Sequence, residues 1–468
     1  MTQSLRKRAA VRASRRNSSN PQPLSLIKNE TPSSSRYNSD EDEVWSETSG
    51  DSADSWNSFQ SQENAIGEGV NRETELFESI DELEEKRTSV REAALTKLIR
   101  LLSQKYVADL LDSRRDTIFT LLMRSIKKDK SYNENKLAAK VMSLFFITLG
   151  DGQESLYQEI LTLFKYNIIN TASLEVKSAY IKALGMACFI AGSAADAIEL
   201  LDFFANIFHT DGKSVNAINN GIVIADALNS YGLLYAGLWG SQKGTDRAKK
   251  EFDRVMPIHL KHLKSDTMEV RVASGENIAL MFEILGIGRK RDASEEWEQL
   301  QHPERYEEID EVEYDDKEHL IELLSALAKD SNRHRAKSQR KVQRSAFRDI
   351  LRTVEEGDHI EEKIKIKKQT IHFSSWAKVA QLKAFRDVLA EGLHIHFQEN
   401  ELIQDIFEFE PTLSLTNADR VSRPCSAMSS YSVPSDAELS VLDKKARGKR
   451  IRARKKSNRR NDLLIEVG

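Results

Sequence analysis

An all-α chain is what this sequence predicts: an irregular HEAT/armadillo-like helical solenoid, followed by a small, mainly helical C-terminal module with a β-hairpin. Three observations carry that expectation. Of eight prolines in 468 residues, only Pro257 and Pro303 fall between Pro32 and Pro411. The central backbone therefore keeps an amide donor at nearly every position, as stacked helices require. Apolar residues in the same region recur at three- and four-residue spacing. A loose internal repeat runs through it as well, opened by Val90-Arg91, Val176-Lys177 and Val270-Arg271. Each pair is followed by an alanine (Ala93, Ala179, Ala273), then Leu98, Leu184 or Ile278, then Leu102, Cys188 or Phe282, at constant spacing. A weaker fourth copy spans Ala139 to Leu144, with Lys136 where the valine should stand. The small alanine is expected at a helix–helix contact, the larger residues between neighbouring helix pairs, and Lys182 on the solvent side.

Composition bounds the function classes. Sixty-nine lysines and arginines against 73 acids leave a net charge of −4. Two cysteines, Cys188 and Cys425, exclude a disulfide-stapled scaffold and a cysteine-based zinc module, and fit a reducing compartment. No run approaches the ~18 uninterrupted apolar residues of a membrane span. The basic start, Met1 to Arg16, has no apolar core of the kind a secretory signal carries. The expectation is a soluble intracellular protein, cytoplasmic with shuttling to the nucleus.

The elements follow in order. Residues 1–70 hold fifteen serines and pass from a basic head to the acidic run Asp40 to Glu43, a composition that predicts disorder, with Trp45, Trp56 and Phe59 as its apolar exceptions. Leu76, Ile80 and Leu83 open the solenoid, which is placed at 71–290. Residues 291–318 are assigned to an acidic linker, with twelve acids between 295 and 318. The C-terminal module takes 319–409. Its first helix carries Leu320, Leu323, Leu324 and Leu327, and its second runs from about Asn332 to Val354. Alternation of Ile364 and Ile366 with lysines, and of Ile371 and Phe373 with His372, predicts a hairpin turning at Lys368-Gln369. Ser374 is the expected cap of a helix bearing Trp376, Leu382, Phe385 and Leu389 and stopping at Gly392. A last helix spans Asn400 to Phe409, and 410–468 form a polar linker and basic tail, in which Ser435-Asp436-Ala437-Glu438 resembles a capping box.

Catalytic chemistry has little to stand on. Gly286-Ile287-Gly288 lacks the third glycine and the preceding strand of a phosphate loop. His394 and His396 have the spacing of two ligands on a strand, but no cysteine or second histidine pair accompanies them, so neither metal nor cofactor is expected.

Cationic clusters are the stronger signal. Arg333, Arg335, Lys337, Arg340, Lys341, Arg344 and Arg348 lie within sixteen residues without an acid. Lys337, Lys341, Arg344 and Arg348 share one helical face, and Val342, Ala346, Phe347, Ile350 and Leu351 supply the apolar side. The plain account is a solvated helix paired with the neighbouring acids. The functional one is a helix that tracks phosphates, where arginine's planar fork suits folded RNA. The tail adds eleven cations without an acid: Lys444, Lys445, Arg447, Lys449, Arg450, Arg452, Arg454, Lys455, Lys456, Arg459 and Arg460. That run reads equally as a nuclear import signal.

At the C-terminal module the sequence resembles the interferon-related developmental regulator family. The resemblance lies in Ser338-Gln339-Arg340-Lys341, Phe347-Arg348-Asp349-Ile350-Leu351, Val354-Glu355-Glu356-Gly357, Ser375-Trp376, Phe385-Arg386-Asp387-Val388-Leu389, Gly392-Leu393-His394 and Asn400 to Phe407. Ile80-Asp81-Glu82-Leu83 and Glu85-Lys86-Arg87 extend it into the solenoid, so that it covers roughly 71 to 409. The resemblance implies an armadillo-like domain with a family-specific module and no enzymatic activity. It implies one of two roles: a factor on non-translating ribosomes that represses translation, or a transcriptional co-regulator that scaffolds nuclear complexes. The first would use ribosomal RNA as partner through both cationic clusters. The second would hold a protein partner on the solenoid's concave face. Neither a membrane nor a small-molecule substrate is expected.

Overall fold

The computed structural model describes residues 67–128, 131–241, 245–288, 314–329, 337–366 and 369–411, all within one of the chain's two units, Ala65–Gly468. The serine-rich head, most of the acidic stretch and the basic tail lie outside the described residues.

Helices come in antiparallel pairs, and the second member of each pair stacks on the second member of the next. The outer members are α1 (Gly67–Glu82), α4 (Arg115–Lys128), α6 (Glu154–Asn170), α8 (Ala194–His209), α10 (Asp246–His262) and α12 (Lys317–Lys329). The inner members are α2 (Thr88–Gln104), α5 (Tyr132–Leu149), α7 (Leu174–Ala191), α9 (Gly221–Trp239), α11 (Met268–Leu285) and α13 (Lys337–Glu356). A short helix, α3 (Ala108–Ser113), bridges the first two pairs. The solenoid therefore continues through α12 and α13, the two helices that the sequence pattern assigned to a separate module. The acidic stretch does not interrupt the stack: Tyr314, near its end, packs its ring 5.7 Å from Phe252 and 5.9 Å from Phe282.

Inner helices are apolar on nearly every side because they are covered on nearly every side. The length and apolarity of α9 would suit a membrane span, yet 72 % of its most apolar window is buried in the stack. Pro257 sits inside outer helix α10, where the carbonyl its missing donor releases belongs to the exposed Asp253. The repeat holds at its larger positions: Leu98, Leu184, Ile278, Leu102, Cys188 and Phe282 are all buried. The alanines are less regular. Ala273 is buried, Ala179 half-buried and Ala93 exposed, with Ala94 filling the core in its place.

The remaining chain folds back over the inner row. Strands β1 (Glu362–Ile366) and β2 (Gln369–Phe373) pair antiparallel with Ile366 opposite Gln369, so Gln369, expected in the turn, belongs to the strand. Helix α14 (Trp376–Leu389) lies against α9 and α11 and reaches α5 and α2, and α15 (Leu393–Glu399) and α16 (Glu401–Phe407) complete the cover. Its cap is Ser375, whose hydroxyl accepts from Lys378 N at 3.2 Å, and not Ser374. The Glu283 carboxylate at the end of α11 accepts from Trp376 N at 2.8 Å, which fixes where α14 starts. Lys182, expected in solvent, instead bridges Asp226 at 3.3 Å and Asp387 of α14 at 3.0 Å. Gly392 is required by closeness: a Cβ there would stand 1.6 Å from the Ser103 carbonyl of α2.

Three buried histidines make this packing sensitive to acid. Burial pushes His259 down to about 3, with neither ring nitrogen hydrogen-bonded, and pushes His396 down to about 4. His262 is lowered by the same cause. These groups are neutral in the fold but bind protons in the unfolded chain below about 6.5. Their contribution is complete above that value and is lost as pH falls toward the folded values. Melting temperature should therefore drop between pH 7 and pH 5, and His259→Leu should flatten that decline.

Candidate nucleic-acid interface

The connection from an outer to an inner helix reverses the chain and leaves peptide carbonyls facing the interior. In three pairs the basic residue after the repeat's valine satisfies them. Arg91 Nη1 donates to the carbonyls of Glu85 and Lys86 at 2.9 and 2.8 Å. Arg271 Nη1 donates to those of Ser265 and Asp266, at the same offsets of six and five residues, at 2.5 and 3.0 Å. Lys177 Nζ reaches Ile168 and Ile169 at 2.8 and 3.1 Å. All three are buried. The two arginines also reach the next inner helix: Arg91 makes a bidentate pair with Glu134 at 2.7 Å through Nε and Nη2, and Arg271 Nη2 donates to Gln343 Oε1 at 2.5 Å. The hydrogen-bonded Glu134 raises the Arg91 pKa still further.

Gln343 is thus the anchor of α13. With Phe347, Ile350 and Val354 it forms the buried stripe of that helix, while Thr353 accepts from the Trp376 indole at 2.8 Å. Val342, assigned to the apolar side from sequence, is exposed, because the polar Gln343 takes the inward position. The opposite side carries the expected cations. Lys341 and Arg348 are exposed and Arg344 is half-buried. Arg340 turns toward the buried side, its Nε shielded and without a hydrogen-bond partner. Lys337 stands at the first residue of α13, whereas Arg333, Arg335 and the tail cations Lys444 to Arg460 lie outside the described residues.

One cation escaped the sequence pattern. Arg352 follows Arg348 by four residues and continues the row, so that Lys341 to Arg352 extends over about 16 Å of helix. The signal was its spacing, masked by the intervening Asp349. That acid lies 3.6 Å from Arg352, and Asp358 lies 3.8 Å away, so Arg352 brings a partly neutralised charge. Since α13 is the last inner helix, this row faces outward from the end of the stack.

The other candidate chemistry is occupied with structure. His396 lies on a helix and not on a strand; it donates to the Leu102 carbonyl at 3.0 Å and contacts the Asn400 amide at 3.2 Å. His394 Nδ1 lies 2.6 Å from the Glu391 carbonyl. Among the described residues no three histidine, cysteine or acidic side chains gather as metal ligands. Burial pushes the Cys188 thiol up to about 12, far from a nucleophile's range.

If Arg271 ties the last pair to the stack, Arg271→Met should remove the donor from two carbonyls and from Gln343 Oε1. The expected loss is roughly 2–4 kcal/mol of stability, read from denaturant unfolding. A change below about 0.5 kcal/mol, typical of a surface site, would show that the contact is dispensable.

The comparisons with known proteins agree on one lineage. The sequence profile described as Interferon-related developmental regulator matches residues 44–355. The mouse protein named Interferon-related developmental regulator 2 is 31 % identical over 358 residues, 74 % of this chain and 75 % of its own length. The human Interferon-related developmental regulator 1 is 32 % identical over 349 residues, 72 % of each chain. A fission-yeast relative, Uncharacterized protein C20F10.03 of Schizosaccharomyces pombe, is 25 % identical over 342 residues, 70 % of this chain and 73 % of its own. With a matching profile over residues 44–355 and relatives at least 30 % identical across more than two thirds of both chains, this chain belongs to the interferon-related developmental regulator family.

Proposed function

We propose that this regulatory protein works without catalysis, by associating with non-translating ribosomes or their RNA and repressing translation. The observation that carries the reading is the outward row on α13. Lys341, Arg344 and Arg348 are held in line on a helix whose other side is locked to α11 by Arg271 and Gln343. A preordered row loses little freedom when it meets a phosphate backbone, and each neutralised phosphate releases counterions. The terminal helix of a solenoid needs only a polar outer face, so a strongly cationic one exceeds what capping demands. In this reading the Lys444–Arg460 tail is a second arm on the same polyanion, and the protein is mainly cytoplasmic with access to the nucleus.

The scaffold alternative places a partner peptide on the inner face of the solenoid. Here α14 to α16 lie on that face, with Trp376, Leu382, Phe385 and Leu389 buried against it. A partner would have to displace this apolar cover or bind elsewhere.

The test is RNA affinity measured against salt concentration for the full chain. Changing Lys341, Arg344 and Arg348 to alanine should weaken binding and lower the slope of log affinity against log salt by about one unit per lost contact. Removal of 444–460 should lower it further and independently. Superimposed curves for the wild type and both variants would sink the RNA reading in favour of the scaffold.

A further inference from the structure

Six large apolar side chains stand exposed among the described residues: Tyr132, Tyr166, Leu174, Ile218, Ile222 and Val342. Their positions are not scattered. Tyr132 and Leu174 are the first residues of α5 and α7, Ile222 is the second of α9, and Val342 lies in the opening turns of α13. Tyr166 is in the last turn of α6, and Ile218 is in the connection that enters α9. All six therefore fall on the one edge of the solenoid where outer helices end and inner helices begin.

Bonds between neighbouring pairs make that edge continuous. The Ser131 hydroxyl donates to Glu92 at 2.6 Å, Lys136 pairs with Glu175 at 2.6 Å, and the Asn216 amide donates to the Ile169 carbonyl at 3.1 Å. Single exposed apolar residues are ordinary, but a file of them along one edge marks a contact surface.

Among the described residues, the unengaged charge on this edge is one-sided from α4 to α9. Their acids are already engaged: Glu92 by Ser131 and Asn133, Glu175 by Lys136, and Asp211 by Lys261 at 2.6 Å. Lys127 and Lys213 are exposed and make no ion pair with another described residue. Toward α11 the exposed Asp266 and Glu269 outnumber the exposed Lys264, which ends the positive strip before α13. What is left is an apolar ladder with a positive margin.

We propose that the edge from α4 to α9 docks an extended segment of a protein partner, with an apolar side chain at about every third residue and acids between. The spacing follows from geometry. Inner helices stack about 8–10 Å apart, and an extended chain advances about 3.3 Å per residue, so one rung of the ladder meets one side chain in three. Acidic neighbours would meet Lys127 and Lys213. Two of the three inner-helix rungs, Leu174 and Ile222, are aliphatic, as is Ile218 beside Ile222, which favours a protein over stacked bases. This surface is separate from the cationic row of α13 and does not depend on it.

Site-specific photo-crosslinking in cells, with the full chain, tests it. A benzophenone side chain replaces Tyr166, and a control position uses the exposed Thr120 on outer helix α4. The expected product is a covalent protein adduct whose sequenced peptide shows apolar residues three apart with interspersed acids. Its yield should fall at least tenfold when Leu174→Asp and Ile222→Asp are introduced, with circular dichroism and melting temperature unchanged. It should persist when Lys341, Arg344 and Arg348 are replaced by alanine. Crosslinking to RNA, a yield no higher than at Thr120, a peptide without that pattern, or persistence in the double aspartate variant would each overturn the assignment.

Discussion

A solenoid of helix pairs must reverse its backbone at every pair, and at three of these reversals peptide carbonyls turn onto a buried basic side chain. The cost of an unpaired buried carbonyl is comparable to the net worth of several good contacts. In this protein the repeated basic residue resolves it, because Arg91, Lys177 and Arg271 lie buried with their donors on those carbonyls. The arginines do more than lysine can. A planar fork leaves a second edge for the next inner helix, whereas Lys177 is a point donor that serves only its own connection. Removing one partner from such a site would leave a buried charge or carbonyl uncompensated, so these positions tolerate change poorly.

The returning cover changes the kind of object the solenoid is. An open repeat array exposes its inner row for ligands and gains stability from nearest neighbours alone. Here α14 supplies Trp376, Phe385 and Leu389 to that row, and polar contacts such as Lys182 with Asp387 and Glu283 with Trp376 N set its position. Surfaces left for partners are the end helix, the outer helices and the edges. This is why the cationic row on α13 and the apolar file on the α4–α9 edge, and not the inner face, carry the functional arguments.

Much of this was legible in the sequence, in proportion to how local each cause is. Scarce prolines and helical periodicity reported the class, and the valine-basic pair reported the inner helices, because both depend on residues within a turn or two. The hidden role of the basic residue was not legible, since Arg91 and a surface arginine look alike until the carbonyls they meet are placed. Val342 was misassigned because Gln343, a polar residue, takes the inward position to receive Arg271. The sixth pair escaped because an acidic stretch precedes it and glutamine replaces the basic residue. Arg352 escaped because Asp349 breaks the acid-free run that drew attention to its neighbours. The cover was invisible for another reason: its partners are hundreds of residues away, and no periodicity encodes them.

That distance has a consequence for synthesis. Asn400 donates to the Ile147 carbonyl at 2.9 Å, and His396 reaches Leu102 across 294 residues. During translation, α2 and α5 will have emerged and stacked long before the residues that cover them exist. Their apolar inner surfaces must wait through the appearance of four further pairs, a period in which a nascent chain is open to chaperones and to wrong partners. Maturation of this protein is consequently timed by α14 to α16, and synthesis that ends short of α14 would leave a chain with every repeat built and its interior still open.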